Sequence, residues 1–346
     1  MFWKDLPKPF FAMAPMADVT DVAFRALVAK RGAPDVFWTE FVSADGLYYT
    51  NKLAGKSKKS SAQAARPIQH DFSDLSARLN LNPLMRDLLI GEGQRPIVAQ
   101  IFSSKPEMIT YATKLASELG FDGVDINMGC PDRAIERQGC GAAMLKTPEL
   151  AREIIRAAKE ASSLPVSVKT RVGYNKESLD EWLTALLEEA PAAITLHLRT
   201  RKQMSLVSAD WELMKKAVEI RNRVNPDVLL IGNGDVRDLD DARAKAAESG
   251  CDGAMLGRAM FGNPWVFAGR KPEDTPLAEK LAALVELARG FEKISPPKNF
   301  AILKKHIKAF VTGFDGAAEL RSELMEVENA HELASVIRLH ERAPGR

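Results

Sequence analysis

The stretch "GVDINMGCPDRAIERQGCGAAMLKTPELAREIIRAAKEASSLPVSVKTR", Gly123 to Arg171, holds two short apolar runs, GVDINMG and PVSVKTR. Between them lies PELAREIIRAAKEAS, whose apolar residues recur at helical spacing. Strand, helix and strand in that order make one βαβ unit with parallel strands. The same rhythm continues on both sides. FFAMAPM (10–16), DVFWTEF (35–41) and PIVAQIF (96–102) precede it, and AITLHLR (193–199), VLLIGNG (228–234) and GAMLGR (253–258) follow. LDEWLTALLEEA from Leu179 and LDDARAKAAESG from Leu239 read as connecting helices, the second ending on glycine. Eight candidate strands alternating with helices point to the α/β class and a (β/α)8 TIM barrel, with an open doubly wound sheet as the alternative.

Two places break the rhythm. Residues from about 50 to 95 exceed an ordinary βα connection, which marks an insertion that is a functional loop, a small subdomain or a lid. Its Lys52, Lys56, Lys58 and Lys59 give it a basic, Ser-rich stretch expected to be flexible. GNPWVFAGRKPEDTP (262–276) reads as a linker, and only helical patterns follow. The expected organisation is a barrel domain over 1–269 and a small all-helical domain over 277–346.

Composition narrows the class. The 346 residues are 46% hydrophobic, ample for a sizeable core. No apolar run reaches the roughly 18 to 20 residues of a membrane span, and MFWKDLPKPFF has no signal-peptide pattern, so a soluble cytoplasmic protein with no membrane partner is expected. Cys130, Cys140 and Cys251 are three thiols with no CxxC pair, which argues against a disulfide framework and against a metal site. A net charge of +2 neither demands nor excludes nucleic acid.

In a barrel the strands' C-terminal ends build the active site. Those ends carry Met16, Glu40, Gln100, Asn127 with Cys130, Lys169 with Arg171, His197 with Arg199, Asn233 with Asp235, and Gly257 with Arg258. A buried polar side chain without a partner costs about 1–3 kcal/mol. One such residue alone reads as a satisfied core residue; Gln100, Lys169 and His197 on three strands point to a common polar ligand. Gly232, Gly234 and Gly257 beside Asn233 and Arg258 either make tight turns or let a phosphate approach the backbone, and the latter fits the usual phosphate site after strands seven and eight.

Cys130 leaves its strand between Gly129 and Pro131, placed to touch a ligand rather than to fill a core as Cys251 does. It lacks partners for a metal. As a nucleophile it has only His197 for a base, and as a thiol it is also suited to general acid catalysis. Cys140 reads as incidental. GCGAAM follows no strand and lacks the last glycine of a dinucleotide fingerprint.

Together APMADVTDVAFR (14–25), VAQIF (98–102), GVDINMGCP with GCGAAMLKTPE (123–149), VSVKTRVG (166–173), LHLRTR (196–201), IGNGDV (231–236) and GCDGAMLGRAMFGNPW (250–265) resemble, in order, the blocks of the tRNA-dihydrouridine synthases. The resemblance implies FMN at the barrel mouth, NADPH or NADH as reductant, and reduction of uridines in tRNA. By matched position Pro15, Met16 and Ala17 pack on the flavin, Gln100 and Lys169 bond its ring, and His197, Asn233, Gly234, Asp235, Gly257 and Arg258 surround its phosphate. Hydride goes from flavin N5 to uracil C6, and Cys130 protonates C5. Asn127 holds the uracil edge, and Arg171, Arg199 and Arg201 crowd the rim where RNA arrives.

A C-terminal helical domain holds tRNA in that family, and PPKNFAILKKHIKAF (296–310) offers Lys298, Lys304, Lys305, His306 and Lys308 along one helix, which by itself reads as a solvated face. The long insertion and HLRTRKQMS (197–205) depart from the family's pattern. The competing readings are a flavin enzyme for a free pyrimidine, of dihydroorotate or dihydropyrimidine type, a synthase acting on another RNA, and an RNA-binding barrel without chemistry. The modified position, the choice of nicotinamide cofactor and the oligomeric state stay open, with a monomer favoured.

Overall fold

The computed structural model describes residues 2–57 and 83–342. Its strands are β1 (Phe10–Met13), β2 (Phe37–Trp38), β3 (Val42–Ser43), β4 (Ile97–Phe102), β5 (Gly123–Met128), β6 (Val166–Arg171), β7 (Ala193–His197), β8 (Leu229–Asn233) and β9 (Gly253–Leu256). They pair in the order β1-β9-β8-β7-β6-β5-β4-β2, all parallel, with β3 also on β4. A parallel bridge from Ala12 to Val36 brings the two ends of this order together, so the sheet forms the predicted barrel.

The second strand is split. Trp38 is in register with Val98 and Val42 with Ile101, so three residues on one side face two on the other. Such an extra residue bends a strand and breaks its alternation. Thr39 spans the break by accepting from the Gln100 N–H at 3.0 Å and donating to Glu40 O at 2.8 Å.

Alternation decides what fills the barrel. Phe10, Ala12, Val36, Trp38, Val98, Ala193, Ile231 and Met255 form one buried cluster, closed below by Trp3. The intervening residues face outward into a second cluster shared with the helices. Helix Pro148–Ala161 shows how: Ala151, Ile154, Ile155 and Ala158 are its buried stripe. Each isoleucine so placed contributes about 1.5–3 kcal/mol. Further along the same inward positions the side chains become polar, at Gln100, Asp125, Asn127, Ser167, Thr195 and Asn233.

Helices Leu277–Glu292, Lys304–Phe310, Ala317–Leu324 and Ala330–Arg342 follow the barrel. Their apolar faces belong to the same cluster as the barrel's outer layer. At Gly290 a Cβ would lie 3.4 Å from the Cβ of Ala23, so helix Leu277–Glu292 sits closely on helix Val22–Gly32.

The predicted basic helix face does not form as a unit. Lys298 precedes the short turn Phe300–Leu303 and is buried against Glu40, while His306 lies between the rings of Phe24 and Phe261, 4.7 and 5.8 Å away. Burial lowers the His306 pKa to about 4, so it packs as a neutral ring. Lys305 pairs with Asp18 at 3.3 Å. Of the insertion's lysines, Lys52 and Lys56 fall on helix Ala44–Ser57, and Lys58 and Lys59 lie outside the described residues, as do residues 60–82. No described helix is long and apolar enough to cross a membrane.

Candidate active site

A cavity of about 160 Å³ opens at the strands' C-terminal ends. Pro15, Gln100, Asn127, Cys130, Lys169, Arg171 and His197, all expected site residues, line it, with Phe41 as the added aromatic wall. A groove of about 1100 Å³ between helices Val22–Gly32 and Leu277–Glu292 is larger, but alanine and other aliphatic side chains make most of its wall. The burial-driven pKa shifts of Cys130, Lys169, Arg171 and His197, rather than volume, pick out the smaller cavity.

The Cys130 loop is held from three sides. Asn127 Oδ1 accepts from the N–H groups of Gly129 (3.1 Å) and Cys130 (3.0 Å), and Arg171 Nε donates to Gly129 O at 2.8 Å. The third hold is the N–H of Ala142, which donates to Cys130 O at 2.9 Å. Gly141 makes that approach possible: its φ is +59°, and a Cβ there would stand 2.6 Å from Cys130 O. Gly141 of GCGAAM therefore serves the thiol loop, whereas a Cβ on Gly139 would meet Ser104 at 3.4 Å. Burial pushes the Cys130 thiol above its ordinary value, and the nearby Arg171 and Lys169 charges offset this only in part. The thiol is protonated at neutral pH. Cys140 is buried beside Phe102 and Ile135 and directs its Sγ to Gln138 O.

Beneath the cavity runs a hydrogen-bonded chain. Gln100 Nε2 donates to Asp125 Oδ2 at 2.7 Å, Ser167 Oγ donates to Asp125 Oδ1 at 2.6 Å, and Asn127 Nδ2 donates to Gln100 Oε1 at 3.3 Å. Asp125 is the residue that reading the strand ends overlooked. The available signal was its position two residues before Asn127, which puts both on one face. Burial raises the Asp125 pKa to about 6, against the bonds from Ser167 and Gln100 and the charge of Lys169. Its acceptance of the Gln100 amide N–H fixes which way that carboxamide points. Lys169 donates to Asn233 Oδ1 at 3.1 Å, and Asn233 Nδ2 in turn donates to Met255 O at 2.8 Å. Burial, then the charge of Arg171, lowers the Lys169 pKa to about 8.

Cations crowd the other side. Arg171 Nη1 lies 3.3 Å from His197 Nδ1, and Arg199 Nη1 lies 3.5 Å from Nε2. A neutral imidazole accepts at one nitrogen only, so one guanidinium is left without an acceptor there. Burial and then the Arg171, Lys169, Arg199 and Arg258 charges hold the His197 pKa well below its ordinary value. Asp235, in left-handed backbone at φ +51°, takes both Arg199 and Arg258. Before it, Gly234 has φ +128°, and a Cβ there would meet the Cβ of Ala209 at 2.7 Å. Lys169, three arginines and a part-buried histidine thus face Asp235 and the deeper Asp125. Such a surplus at low dielectric suits an anion of phosphate type.

The remaining expected residues sit around this centre. Met16 Sδ and the Cβ of Ala14 lie 3.6 Å from where a Cβ on Gly257 would stand, and Ala17 is exposed on the turn beyond Pro15. Arg199 is not on a rim. It is buried and donates Nε to Val207 O at 2.6 Å, on the phosphate-like side of the site. Arg171 is buried as well, lining the cavity itself. Arg201 stays partly exposed and grips Glu136, with Nε 2.9 Å from Oε1 and Nη2 on Oε2, above the ring of Tyr174. That bridge ties the loop after β7 to the short helix Arg133–Glu136 that follows Cys130. Among the described residues no cluster of His, Cys, Asp or Glu is placed to hold a metal ion.

The mouth of the (β/α)8 barrel thus holds a thiol and part-buried Lys169 in one cavity, with Arg199 and Arg258 on Asp235 beside it. The chain belongs to the dihydrouridine synthase family, an oxidoreductase family whose profile it matches over residues 12–343. It is 37% identical to the probable tRNA-dihydrouridine synthase 2 of Bacillus subtilis (strain 168), over 99% of this chain and 97% of that protein. It is 35% identical to the probable tRNA-dihydrouridine synthase of Staphylococcus aureus (strain COL), over 97% of this chain and 94% of that one. The helices after Leu277 lie within the matched length.

Proposed function

We propose that this protein reduces uridines in tRNA to 5,6-dihydrouridine in the cytoplasm, with FMN as its bound flavin and NADPH or NADH as reductant. The observation that carries the reading is the protonated Cys130 thiol in one cavity with Lys169, next to a surplus of cations. That donor set fits FMN. Pro15, Met16 and Ala17 offer one face to its ring, Gln100 and Lys169 meet the ring's polar edge, and His197, Asn233, Gly234, Asp235, Gly257 and Arg258 border its phosphate. The enclosed volume is below the roughly 300–1000 Å³ of whole-ligand pockets, so it takes the ring end, with the phosphate toward exposed Arg258.

A reduced flavin held by these residues would supply hydride for C6 of the uracil. Cys130 gives its proton to C5, which saturates the 5,6 bond and leaves a thiolate that solvent reprotonates. Lys169 holds positive charge at the cofactor's edge, where it favours an anionic ring. Asn127 spends its oxygen on the Cys130 loop and so acts by aiming the thiol, with its Nδ2 toward Gln100. Arg171 walls the cavity where the uracil enters, and Arg201 faces the incoming RNA. The uridine has to leave its stack to reach this depth.

The direct test incubates purified protein with an unmodified tRNA transcript and NADPH and scores dihydrouridine by nucleoside mass. A gain of two hydrogens at a uridine is expected; tRNA unchanged under conditions that reduce the flavin sinks the reading. A second expectation concerns the cofactor. Arg258→Ala should raise the FMN dissociation constant about 10- to 100-fold, the range for one charged hydrogen bond. Flavin absorbance during titration reads this out, and an unchanged constant removes Arg258 from the phosphate site.

A further inference from the structure

The loop Arg201–Ala209, RKQMSLVSA, turns its backbone inward and its apolar side chains outward. Arg171 Nη1 donates to Met204 O at 3.2 Å, and Arg199 Nε donates to Val207 O at 2.6 Å. Gln203 Oε1 accepts from the Thr200 N–H at 2.7 Å, and the Leu206 N–H donates to Gln203 O at 2.9 Å. Met204 is held at φ +52°, a conformation disfavoured for a side chain of its kind. The side chains of Met204, Leu206 and Val207 are nevertheless 38%, 85% and 46% exposed. They are three of the six exposed large apolar residues among those described, all within four positions. Scattered exposed aliphatics need no explanation, but a cluster on a loop pinned by the site's own arginines marks a contact surface.

Resting on the reading of the protein as a tRNA uridine reductase, we propose that Met204, Leu206 and Val207 form an apolar wedge against the bases that flank the target uridine. When the uridine leaves the stack for the cavity, its neighbours lose a partner face, and aliphatic side chains of this type fill such gaps in nucleic acids. Exposed Lys202 lies just before the wedge, beside Arg201, so a backbone phosphate on that side of the gap meets positive charge. Because Arg171 both lines the cavity and anchors Met204 O, the wedge is fixed relative to the point where the uracil enters.

The test is the double variant Leu206→Ser with Val207→Ser, assayed beside the wild type on one full-length tRNA transcript. The expected result is a KM for tRNA at least about fivefold higher, matching the loss of one base-stacking contact, with flavin content unchanged. Leu206→Phe alone, which keeps an apolar face, should keep a KM near the wild-type value. A wild type that makes dihydrouridine and a double variant whose KM stays within twofold overturn the wedge and leave the catalytic reading standing; that outcome would point to a protein partner for this surface. A wild type that makes no dihydrouridine overturns both.

Discussion

Replacing Cys130 by alanine is expected to lower turnover on tRNA by about 10²- to 10⁴-fold, the usual contribution of a positioned proton donor, while flavin remains bound. The separation of the two effects follows from the structure. Cys130 is fixed through its backbone by Asn127 and Ala142, and no side-chain bond from its Sγ supports Lys169, Gln100 or the cations that would hold the cofactor. Substitution removes the proton and little else. The pH dependence has a defined sign. A donor acts only while protonated, and burial sets this thiol above the ordinary value of 9.0, so the proton-transfer step should fall as pH rises through the thiol's pKa, beyond the separate loss expected as Lys169 discharges near pH 8. Stopped-flow reduction of uridine in a preloaded enzyme, followed from neutral to alkaline pH, checks both expectations. Wild-type turnover in Cys130→Ala would assign the proton to another group.

The strand rhythm exposed the barrel because alternation inside and helical spacing outside are local properties of the chain. The strand-end reading reached Gln100, Asn127, Lys169 and His197 for the same reason: each is a polar residue at the inward phase of an apolar run, and the cavity collects all four. What escaped it was set by contacts between distant segments. Arg199 looks like a rim residue in LHLRTR, yet Asp235 and the carbonyl of Val207 draw it under the surface. Asp125 is satisfied by Gln100 and Ser167 on the neighbouring strands, so its mid-strand carboxylate reads as a misfit until those are in place. The split of the second strand depends on a register that β4 imposes. Lys298 carries the same lesson furthest. In PPKNFAILKK it is one lysine among several, and its partner lies 258 residues away.

That partner pair supplies the largest stability effect expected of a single substitution. Lys298 Nζ stands 2.5 Å from Glu40 Oε2 and 3.0 Å from Asp87 Oδ1, and its side chain is almost wholly shielded from solvent. Burial disfavours its charge, but Glu40, Asp87 and Asp21 outweigh burial and keep the ammonium charged. Arg25, also fully buried, is committed to Thr20 O, Leu89 O and Gln94 Oε1 and cannot move to replace it. Lys298→Met therefore leaves carboxylates buried with one fixed cation, and removing one member of a buried pair costs about 3–5 kcal/mol. The cost should depend on pH in a way that lost packing would not. Burial already raises the Glu40 pKa to about 7, and loss of the lysine raises it further. A carboxyl whose folded pKa lies above its unfolded value favours the folded state at low pH, and that support is lost as pH rises through the folded pKa. Urea unfolding of Lys298→Met should thus show a deficit near the full value at pH 8 and a clearly smaller one at pH 5. Equal deficits at the two pH values would mean that Lys298 serves as a packed aliphatic stem rather than as the counter-ion joining the barrel to its helices.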